Sequence, residues 1–255
     1  MAKIHFLDVG CADCTIINSE GQTHLVDCNN DIKRYNQYLP SDKQIRVIFI
    51  THHHYDHFEG LHYLYDNRYN AQYIIISPYE RRYNDNSVQK AEWDDCQNII
   101  SKFEAKGSKI YKPFRQDSFD KPFWNIDNLK YWMIGPESNI AKSETRELHD
   151  ASLVFTLQTS RKCCFTGDAS DTSLNWISKN TSHFCNDVLH ASHHGSINGA
   201  DLDFIKKSEP DYTIISTKSG VHESVPESTA LARYRQNTKR AVYRTDTDGS
   251  KYFDF

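Results

Sequence analysis

The sequence has no apolar run that approaches the ~18 residues a membrane-spanning helix needs. Its opening segment, Met1 to Phe6, lacks the basic and then apolar order of a secretory signal peptide. Low-complexity tracts are absent, and 38% of the residues are hydrophobic. These absences exclude the membrane-protein and disordered classes and predict a folded, cytoplasmic protein. A length of 255 residues suits one β-sandwich with outer helices, so residues 1–255 are expected to form a single domain.

An excess of positive charge is missing too, because 30 Lys and Arg stand against 34 Asp and Glu, for a net charge of -4. Such a total does not indicate sequence-independent binding to long duplex nucleic acid. The cysteine count is seven, an odd number, and only Cys11 and Cys14 form a C-x-x-C pair. With no second pair at a zinc-binding spacing, most cysteines are expected to be reduced and buried as small apolar residues.

Short apolar segments typical of strands are present in two series, and each series is expected to make one sheet. The first series covers 3–9, 14–17, 24–27, 47–50, 73–76, 109–111 and 130–134, and the second covers 152–157, 162–165, 187–189, 212–215, 241–243 and 251–253. Helical patterns lie between them, over 89–105, 203–207 and 227–236. This order favours an α/β fold of the αββα sandwich type. Asp248-Gly249 is predicted to be a hairpin turn between the last two strands.

The segment from His52 to His57 carries the clearest chemical signal in the chain. It places His52, His54, Asp56 and His57 directly after the apolar run 47–50, at the carboxyl end of a strand, where open sheets usually build their sites. Imidazole nitrogens and a carboxylate suit zinc, manganese or iron. Two metal ions could share this segment if other segments supply the remaining ligands.

Further residues of metal-ligand type stand at the ends of later strands. His149 precedes one predicted strand, Asp168 follows another, and His193 and His194 follow a third. A single carboxylate at a strand end can bridge two cations ~3.5–4 Å apart. Each of these histidines alone would more often be a structural residue. The whole set in strand-end positions favours a metal centre.

On these residues the chain resembles the metallo-β-lactamase-fold hydrolases, and within them the soluble catalytic module of ComEC-type competence proteins and its stand-alone relatives. The resemblance spans nearly the whole chain in the family's order, and it implies two packed mixed β-sheets with helices on the outer faces. The matching segments are Phe6-Leu7-Asp8-Val9-Gly10 with Asp13, Leu25-Val26-Asp27, the turn 51–57, Asp150-Ala151-Ser152-Leu153-Val154, Phe165-Thr166-Gly167-Asp168, Ser192-His193-His194-Gly195-Ser196, and Tyr243-Arg244-Thr245-Asp246 with Gly249.

The resemblance also implies a centre of two divalent metal ions, with zinc expected first and manganese or iron as alternatives. The implied ligands of the first ion are His52, His54 and His149. Those of the second ion are Asp56, His57 and one of His193 and His194. Asp168 is expected to bridge the two ions.

Other residues are expected to assist this centre. Asp27 matches a family residue that does not bind the metal itself but orients a ligand or the ligand turn. Its alternative role is to cap the following loop. Asp56, His193 and His194 are expected to act in catalysis, with the non-ligating histidine of the pair as proton donor to the leaving group. His53 is expected to point away from the site, because successive side chains of an extended segment face opposite sides.

The chain departs from the family at Glu59-Gly60, where many relatives have Gly-Gly, although no ligand is lost. His222 only loosely matches the His-Pro pair that relatives carry beside the site, and it could equally be a surface histidine. The stretch from His57 to His149 is expected to supply a wall of the substrate cleft, with Arg81 and Arg82 as candidate contacts. Its aromatic and basic side chains could bind bases and phosphates, or form a solvated helix face over buried aromatics.

Two divalent ions that share a water bring its pKa towards neutrality, which predicts a hydrolase. The resemblance favours a phosphodiester substrate, in nucleic acid, a nucleotide or a similar head group, and the acidic total favours a short, single-stranded or cyclic one. One alternative is hydrolysis of a carboxylic ester, lactone or thioester. Another is a non-catalytic binding or scaffold subunit. No protein partner or membrane contact is indicated.

Overall fold

The computed structural model describes residues 1–184, 186–221 and 225–255. Its strands are β1 (Lys3–Phe6), β2 (Cys14–Ser19), β3 (Gln22–Cys28), β4 (Gln44–Ile50), β5 (Asn70–Ile76), β6 (Lys109–Tyr111), β7 (Trp124–Ile126), β8 (Leu129–Gly135), β9 (Val154–Gln158), β10 (Lys162–Phe165), β11 (Val188–His190), β12 (Tyr212–Ile215), β13 (Ala241–Arg244) and β14 (Lys251–Asp254). Its α-helices are α1 (Tyr55–Phe58), α2 (Gly60–Asp66), α3 (Lys90–Ala105), α4 (Ser138–Ala141), α5 (Asp171–Asn180), α6 (Leu202–Ser208), α7 (Ser228–Asn237) and α8 (Thr245–Asp248). Short 3-10 helices cover Asn30–Tyr38, Leu148–Ala151, Ser192–Gly195 and Ile197–Gly199.

The strands form two 7-stranded sheets. The first has the order β14-β1-β2-β3-β4-β5-β6, and β3 to β6 run parallel to one another. The second has the order β13-β12-β11-β10-β9-β8-β7, and β10 to β13 run parallel. The other neighbouring pairs are antiparallel. Both sheets are therefore mixed, and the predicted αββα architecture is confirmed.

The side chains of β4 pack into a different core on each face of the first sheet. Successive side chains of a strand face opposite sides. Val47 and Phe49 accordingly pack into the core between the sheets, whereas Ile48 and Ile50 pack into the core beneath α2 and α3. Phe49 stacks on Phe155 of the second sheet, with ring centroids 4.5 Å apart. Burial on both faces explains the unbroken apolar run, and it fixes the carboxyl end of β4 where the ligand turn begins.

The outer helices cover both sheets. The three predicted helices are present as α3, α6 and α7, while α2 and α5 were not expected. Ser170 caps the N-terminus of α5, because its hydroxyl accepts a hydrogen bond from the amide of Ser173. The helix packs Leu174 and Ile177 under the second sheet. No helix of the described residues combines the length and apolarity needed to span a membrane.

Two predicted strand assignments were wrong. The segment 130–134, expected in the first sheet, lies in β8 of the second, and 251–253, expected in the second, lies in β14 beside β1. Asp248-Gly249 is consequently not a hairpin turn, because β13 and β14 belong to different sheets. The residues before Gly249 form α8, and Gly249 has a φ of 68° that leads the chain across to the first sheet.

Close packing requires a glycine at position 60, in the Glu59-Gly60 pair that stands where many relatives have Gly-Gly. A Cβ atom on Gly60 would lie 2.4 Å from the Asn29 carbonyl oxygen and 2.7 Å from Cys28 Sγ. The start of α2 can therefore approach the end of β3 only without a side chain. Cys28 pairs with Cys14 across β2 and β3, and both are buried, as are all described cysteines except Cys11.

Candidate metal centre

The predicted ligand residues converge at one edge of the sandwich. Asp27 lies near the carboxyl end of β3, the segment His52–His57 follows β4, and Asp168 follows β10. His149 lies on the 3-10 helix before β9, and the pair His193–His194 follows β11. Strands from both sheets end at this edge, so the fold alone brings distant parts of the chain together.

A first group consists of His52, His54, His149 and Asp168, whose ligand atoms all lie within 4.8 Å of one another. Nε2 of His52 is 3.2 Å from Nδ1 of His54 and 3.7 Å from Oδ2 of Asp168. Imidazole nitrogens this close, with one carboxylate oxygen beside them, have the geometry of groups that share a cation.

A second group consists of Asp56, His57 and His194. Oδ2 of Asp56 is 3.0 Å from Nε2 of His194 and 3.5 Å from Nε2 of His57. Oδ1 of Asp168 is 3.4 Å from the same nitrogen of His57. Asp168 thus lies between the two groups, and its bridging role stays a prediction. His193 is not in this group, which leaves His194 as the member of the pair beside Asp56.

Hydrogen bonds on the outer side of the rings set which nitrogen faces the centre. His57 Nδ1 donates to Oδ2 of Asp27 at 2.8 Å, and His194 Nδ1 donates to the Ser216 carbonyl at 2.9 Å. His54 Nε2 donates to the Ser87 carbonyl at 3.0 Å. Each bond fixes one ring nitrogen and turns the other towards the centre, as in known carboxylate–histidine–metal arrangements.

Unsatisfied buried atoms show that the residues fit metal ions. Among the described residues, Nε2 of His57, Nε2 of His149 and Oδ1 of Asp168 are buried without a hydrogen-bond partner. Leaving such groups unpaired away from water costs about 1–3 kcal/mol each. Divalent cations at the two groups would satisfy all three, and the mixed nitrogen and oxygen donor set suits zinc, manganese or iron.

A family model described as the metallo-beta-lactamase superfamily matches residues 8–217. The chain belongs to the metallo-beta-lactamase superfamily. No curated protein sequence matches it significantly. Among solved structures, the metallo-beta-lactamase fold protein YhfI from Bacillus subtilis superposes with a TM-score of 0.58 at 13% identity, covering 99% of this chain and 100% of that one.

Two further structures of similar size share the fold. A diphosphatase from the PhnP family has a TM-score of 0.55 at 11% identity, with 100% of this chain and 98% of that one covered. The short form of human tRNase Z has a TM-score of 0.53 at 16% identity, with 98% of each chain covered. At these identities the likeness establishes the superfamily fold. The narrower relation to ComEC-type proteins stays a prediction.

Burial and neighbouring charges set the protonation states of the candidate ligands. Burial lowers the pKa of His149 to about 3 and holds the pKa of His52 well below its usual value, so both rings are neutral and can donate lone pairs. Burial alone would raise the pKa of Asp168, but the neighbouring His194 and His57 outweigh it and hold that pKa well below its usual range. Asp168 is therefore a buried carboxylate that stays charged.

The backbone is strained where the ligands are presented. Asp27, His193 and His194 each have a φ of 53°, in the left-handed region that side chains disfavour. Gly167, just before Asp168, has a φ of 47°, and a Cβ there would lie 2.5 Å from Thr51 Oγ1. Left-handed non-glycine residues cost about 1–3 kcal/mol each and cluster at functional sites. Thr51 also binds Asp27 through its amide and its hydroxyl, each at 2.7 Å, which holds the ligand turn against β3.

Sequence reasoning missed a buried carboxylate behind the second group. Asp13 is 3% exposed, and its Oδ1 lies 3.4 Å from Nε2 of His190 and 3.8 Å from Nδ1 of His194. Asp13 lies in a matched family segment, which was the available signal, but it follows no strand. His190 is also buried, and its Nε2 is 2.8 Å from the hydroxyl of Ser216, the residue whose carbonyl orients His194.

The candidate substrate contacts have structural partners. Arg81 donates to the backbone carbonyls of Val88, Arg82 and Asp85, so it braces the 82–88 loop that orients His54. Arg82 donates to the Lys142 carbonyl, and to the Glu144 carbonyl and carboxylate, and it lines a cavity of about 540 Å³ beside His149. His222 lies outside the described residues. Of the two arginines, only Arg82 lines this cavity.

His53 faces away from the centre, as expected. Its ring is fully buried 4.3 Å from Trp93 and 6.0 Å from Tyr79, and neither ring nitrogen has a hydrogen-bond partner among the described residues. Burial lowers its pKa to about 3, so the ring is neutral. Its role is to fill the apolar cluster beneath the ligand turn.

We therefore expect His53→Ala to reduce stability by about 2–4 kcal/mol through the cavity it leaves, with kcat close to that of the wild type. His53→Phe should keep the ring contacts and remove unpaired polar atoms, so its unfolding free energy should stay within about 1 kcal/mol of the wild type. Urea unfolding and steady-state kinetics measure both quantities. Loss of kcat in His53→Phe as large as that in His54→Ala would contradict this role.

Proposed function

We propose that this protein hydrolyses phosphodiesters at a centre of two divalent metal ions, zinc in the first instance, with manganese or iron as alternatives. The observation that carries the proposal is the position of Asp168, whose Oδ2 lies 3.7 Å from His52 of the first group and 3.7 Å from His194 of the second, while its Oδ1 lies 3.4 Å from His57. The first ion would be held by His52, His54 and His149, and the second by Asp56, His57 and His194, with Asp168 between them. When bound, such a pair of ions supplies Lewis acidity and a water of lowered pKa.

The protein's own groups complete the reaction. His193 lies at the mouth, with 25% of its side chain exposed, its ring 4.4 Å from that of His149 and its Nε2 3.8 Å from Oδ2 of Asp168. From this position its Nε2 can hold a proton and donate it to the departing oxygen. Such general-acid help contributes about 100-fold or more. Asp27 keeps His57 in the tautomer that faces the centre.

Polar surroundings favour a phosphodiester over a lactone or thioester. The cavity of about 540 Å³ beside His149 is lined by polar residues of both charges, with Arg82 and Arg146 beside Asp85, Glu144 and Glu147, and a second polar cavity of about 350 Å³ reaches His193. A neutral ester would instead favour an apolar pocket. A diphosphatase and tRNase Z, both named for phosphorus–oxygen chemistry, share the fold. We also propose a single-domain, cytoplasmic enzyme of the ComEC-like branch, on the matches at 192–196 and 243–246.

A substrate panel tests the proposed class. Protein loaded separately with zinc and manganese would be assayed on bis-p-nitrophenyl phosphate, single- and double-stranded nucleic acid, cyclic nucleotides, lactones and a thioester. We expect kcat/KM to be highest for a phosphodiester. A lactone or thioester cleaved with a higher kcat/KM than every phosphodiester would establish the alternative hydrolase, and no turnover of any substrate by fully loaded protein would favour the scaffold alternative.

Alanine variants of the adjacent histidines His193 and His194 should differ in metal content. His194→Ala should lose the second ion, because it removes one of three ligands and leaves Asp56 without its 3.0 Å partner. His193→Ala should retain both ions and lose about 100-fold in kcat. Inductively coupled plasma mass spectrometry and kinetics on the same preparations measure both effects. A reversed pattern, with metal lost only in His193→Ala, would exchange the two roles.

A further inference from the structure

An aromatic surface lies away from the metal centre, at the open edges of the two sheets. Tyr111, at the end of β6, is 43% exposed, and Phe123, just before β7, is 36% exposed. With Trp124 they line a shallow concavity of about 270 Å³. These three residues and Tyr73 of β5 form the aromatic edge.

Packing explains only part of the aromatic edge. Tyr73 and Trp124 are partly buried against the core between the sheets, and their rings meet edge to face at 4.7 Å, so they close the side of the sandwich. Tyr111 and Phe123 stand at 63° and 69° to Trp124, with centroids 5.9 and 6.4 Å away. They form walls of the concavity and extend into solvent, beyond what closing the core requires.

Positive charge accompanies these rings in the chain. Lys109 and Lys112 flank Tyr111 on β6 and just after it, and Lys121 precedes Phe123; all three are exposed. Lys112 pairs with Glu80 at 2.8 Å, whereas Lys109 and Lys121 have no carboxylate partner among the described residues. The connecting segment also carries Asp117 and Asp120, which lower but do not cancel this excess, in a chain whose net charge is -4.

Tyr111 lies at the carboxyl end of β6, which is at the same end of the first sheet as the ligand turn. Strand β6 runs parallel to β4 and β5, so Tyr111 lies towards the edge at which the ligand turn leaves β4. In register, Tyr111 pairs with Ile75, which pairs with Phe49, two residues before Thr51. Only β5 lies between β6 and β4, and two inter-strand spacings amount to roughly 10 Å laterally. A chain of a few nucleotides therefore spans the interval.

We propose that the aromatic edge binds single-stranded nucleic acid, with bases stacked on Tyr111 and Phe123 and phosphates near Lys109 and Lys121, and that it delivers the strand to the metal centre. The delivery part rests on the proposed function. Exposed rings beside lysines match the two features of a single strand, unpaired bases and regular negative charge, and each base–ring stack contributes about 1–3 kcal/mol. A duplex buries its bases and offers no such faces.

Binding to metal-free protein tests the surface without catalysis. Fluorescence anisotropy of a labelled oligothymidylate of about ten nucleotides would give Kd for the wild type, Tyr111→Ala, Phe123→Ala and the double variant. We expect about a 5- to 100-fold weaker Kd in each single variant, following the stacking contribution. Tyr252→Ala, at a residue 70% exposed on β14 at the opposite edge of the first sheet, is the matched control and should leave Kd unchanged. Near-identical Kd values for wild type and double variant would overturn the proposal.

Two companion measurements separate this inference from its alternatives. Hydrolysis of bis-p-nitrophenyl phosphate by metal-loaded Tyr111→Ala and Phe123→Ala should match the wild type, while KM for the oligonucleotide rises and kcat changes little. Absence of bis-p-nitrophenyl phosphate turnover in the wild type would remove the proposed function yet leave the binding result intact. Sedimentation that shows a dimer lost in Phe123→Ala, with oligonucleotide binding unchanged, would instead assign the surface to a second copy of the chain.

Discussion

Asp168→Asn should lower kcat for bis-p-nitrophenyl phosphate by about 1,000-fold or more. The asparagine keeps the shape of the side chain but removes the charge whose two oxygens face His52 and His57. A correctly held metal pair stabilises the transition state by several kcal/mol through Lewis acidity. A loss of about 4 kcal/mol corresponds to a kcat lowered by about 1,000-fold. Metal content should fall below two ions per chain, and circular dichroism should remain that of the wild type, because the sheets are held by apolar burial.

An exposed aspartate gives the matched control for this change. Asp117→Asn, on the segment between β6 and β7, should leave kcat and metal content unchanged. The bridging role of Asp168 would be wrong if Asp168→Asn kept two ions and more than about a tenth of the wild-type kcat, a loss of under 1.4 kcal/mol.

Metal loading should raise the melting temperature by roughly 15–30 °C. Each ion bound at about 1,000 times its Kd adds about 4 kcal/mol, and each kcal/mol adds about 2–4 °C for a chain of this size. The physical source is the relief of buried unpaired atoms on His57, His149 and Asp168. Differential scanning calorimetry of chelator-treated and reloaded protein measures the shift.

The same experiment on Asp168→Asn controls for ions that bind the surface. That variant should show less than half of the wild-type shift, and added chelator should reverse both. A wild-type melting temperature that rises by less than about 2 °C on metal loading would contradict this account, because the buried atoms of His57, His149 and Asp168 would then gain nothing from the metal ions.

The ligand turn could be predicted because its signal is local. His52, His54, Asp56 and His57 lie within one turn after a strand whose two-sided burial is visible as an apolar run. The choice between His193 and His194 could not be predicted, since both follow the same strand. It depends on a left-handed backbone and on the Ser216 carbonyl, which comes from the next strand of the sheet.

Partner strands were less predictable than the strands themselves. Segment 251–253 has the composition of a strand, but its place beside β1 follows from the antiparallel pairing of Lys3 with Asp254, at opposite ends of the chain. Such pairing is not encoded in any short pattern. The same holds for Asp13, whose importance becomes visible only when β11 brings His190 next to it.

The number of metal ions needed for turnover tests the central claim most directly. Metal-free protein would be titrated with zinc, and separately with manganese, while the rate of bis-p-nitrophenyl phosphate hydrolysis is recorded at each metal-to-protein ratio. The paired centre at Asp168 predicts a rate that is negligible without metal and rises to a plateau at two equivalents. A plateau at one equivalent, or full activity in chelator-treated protein, would contradict it.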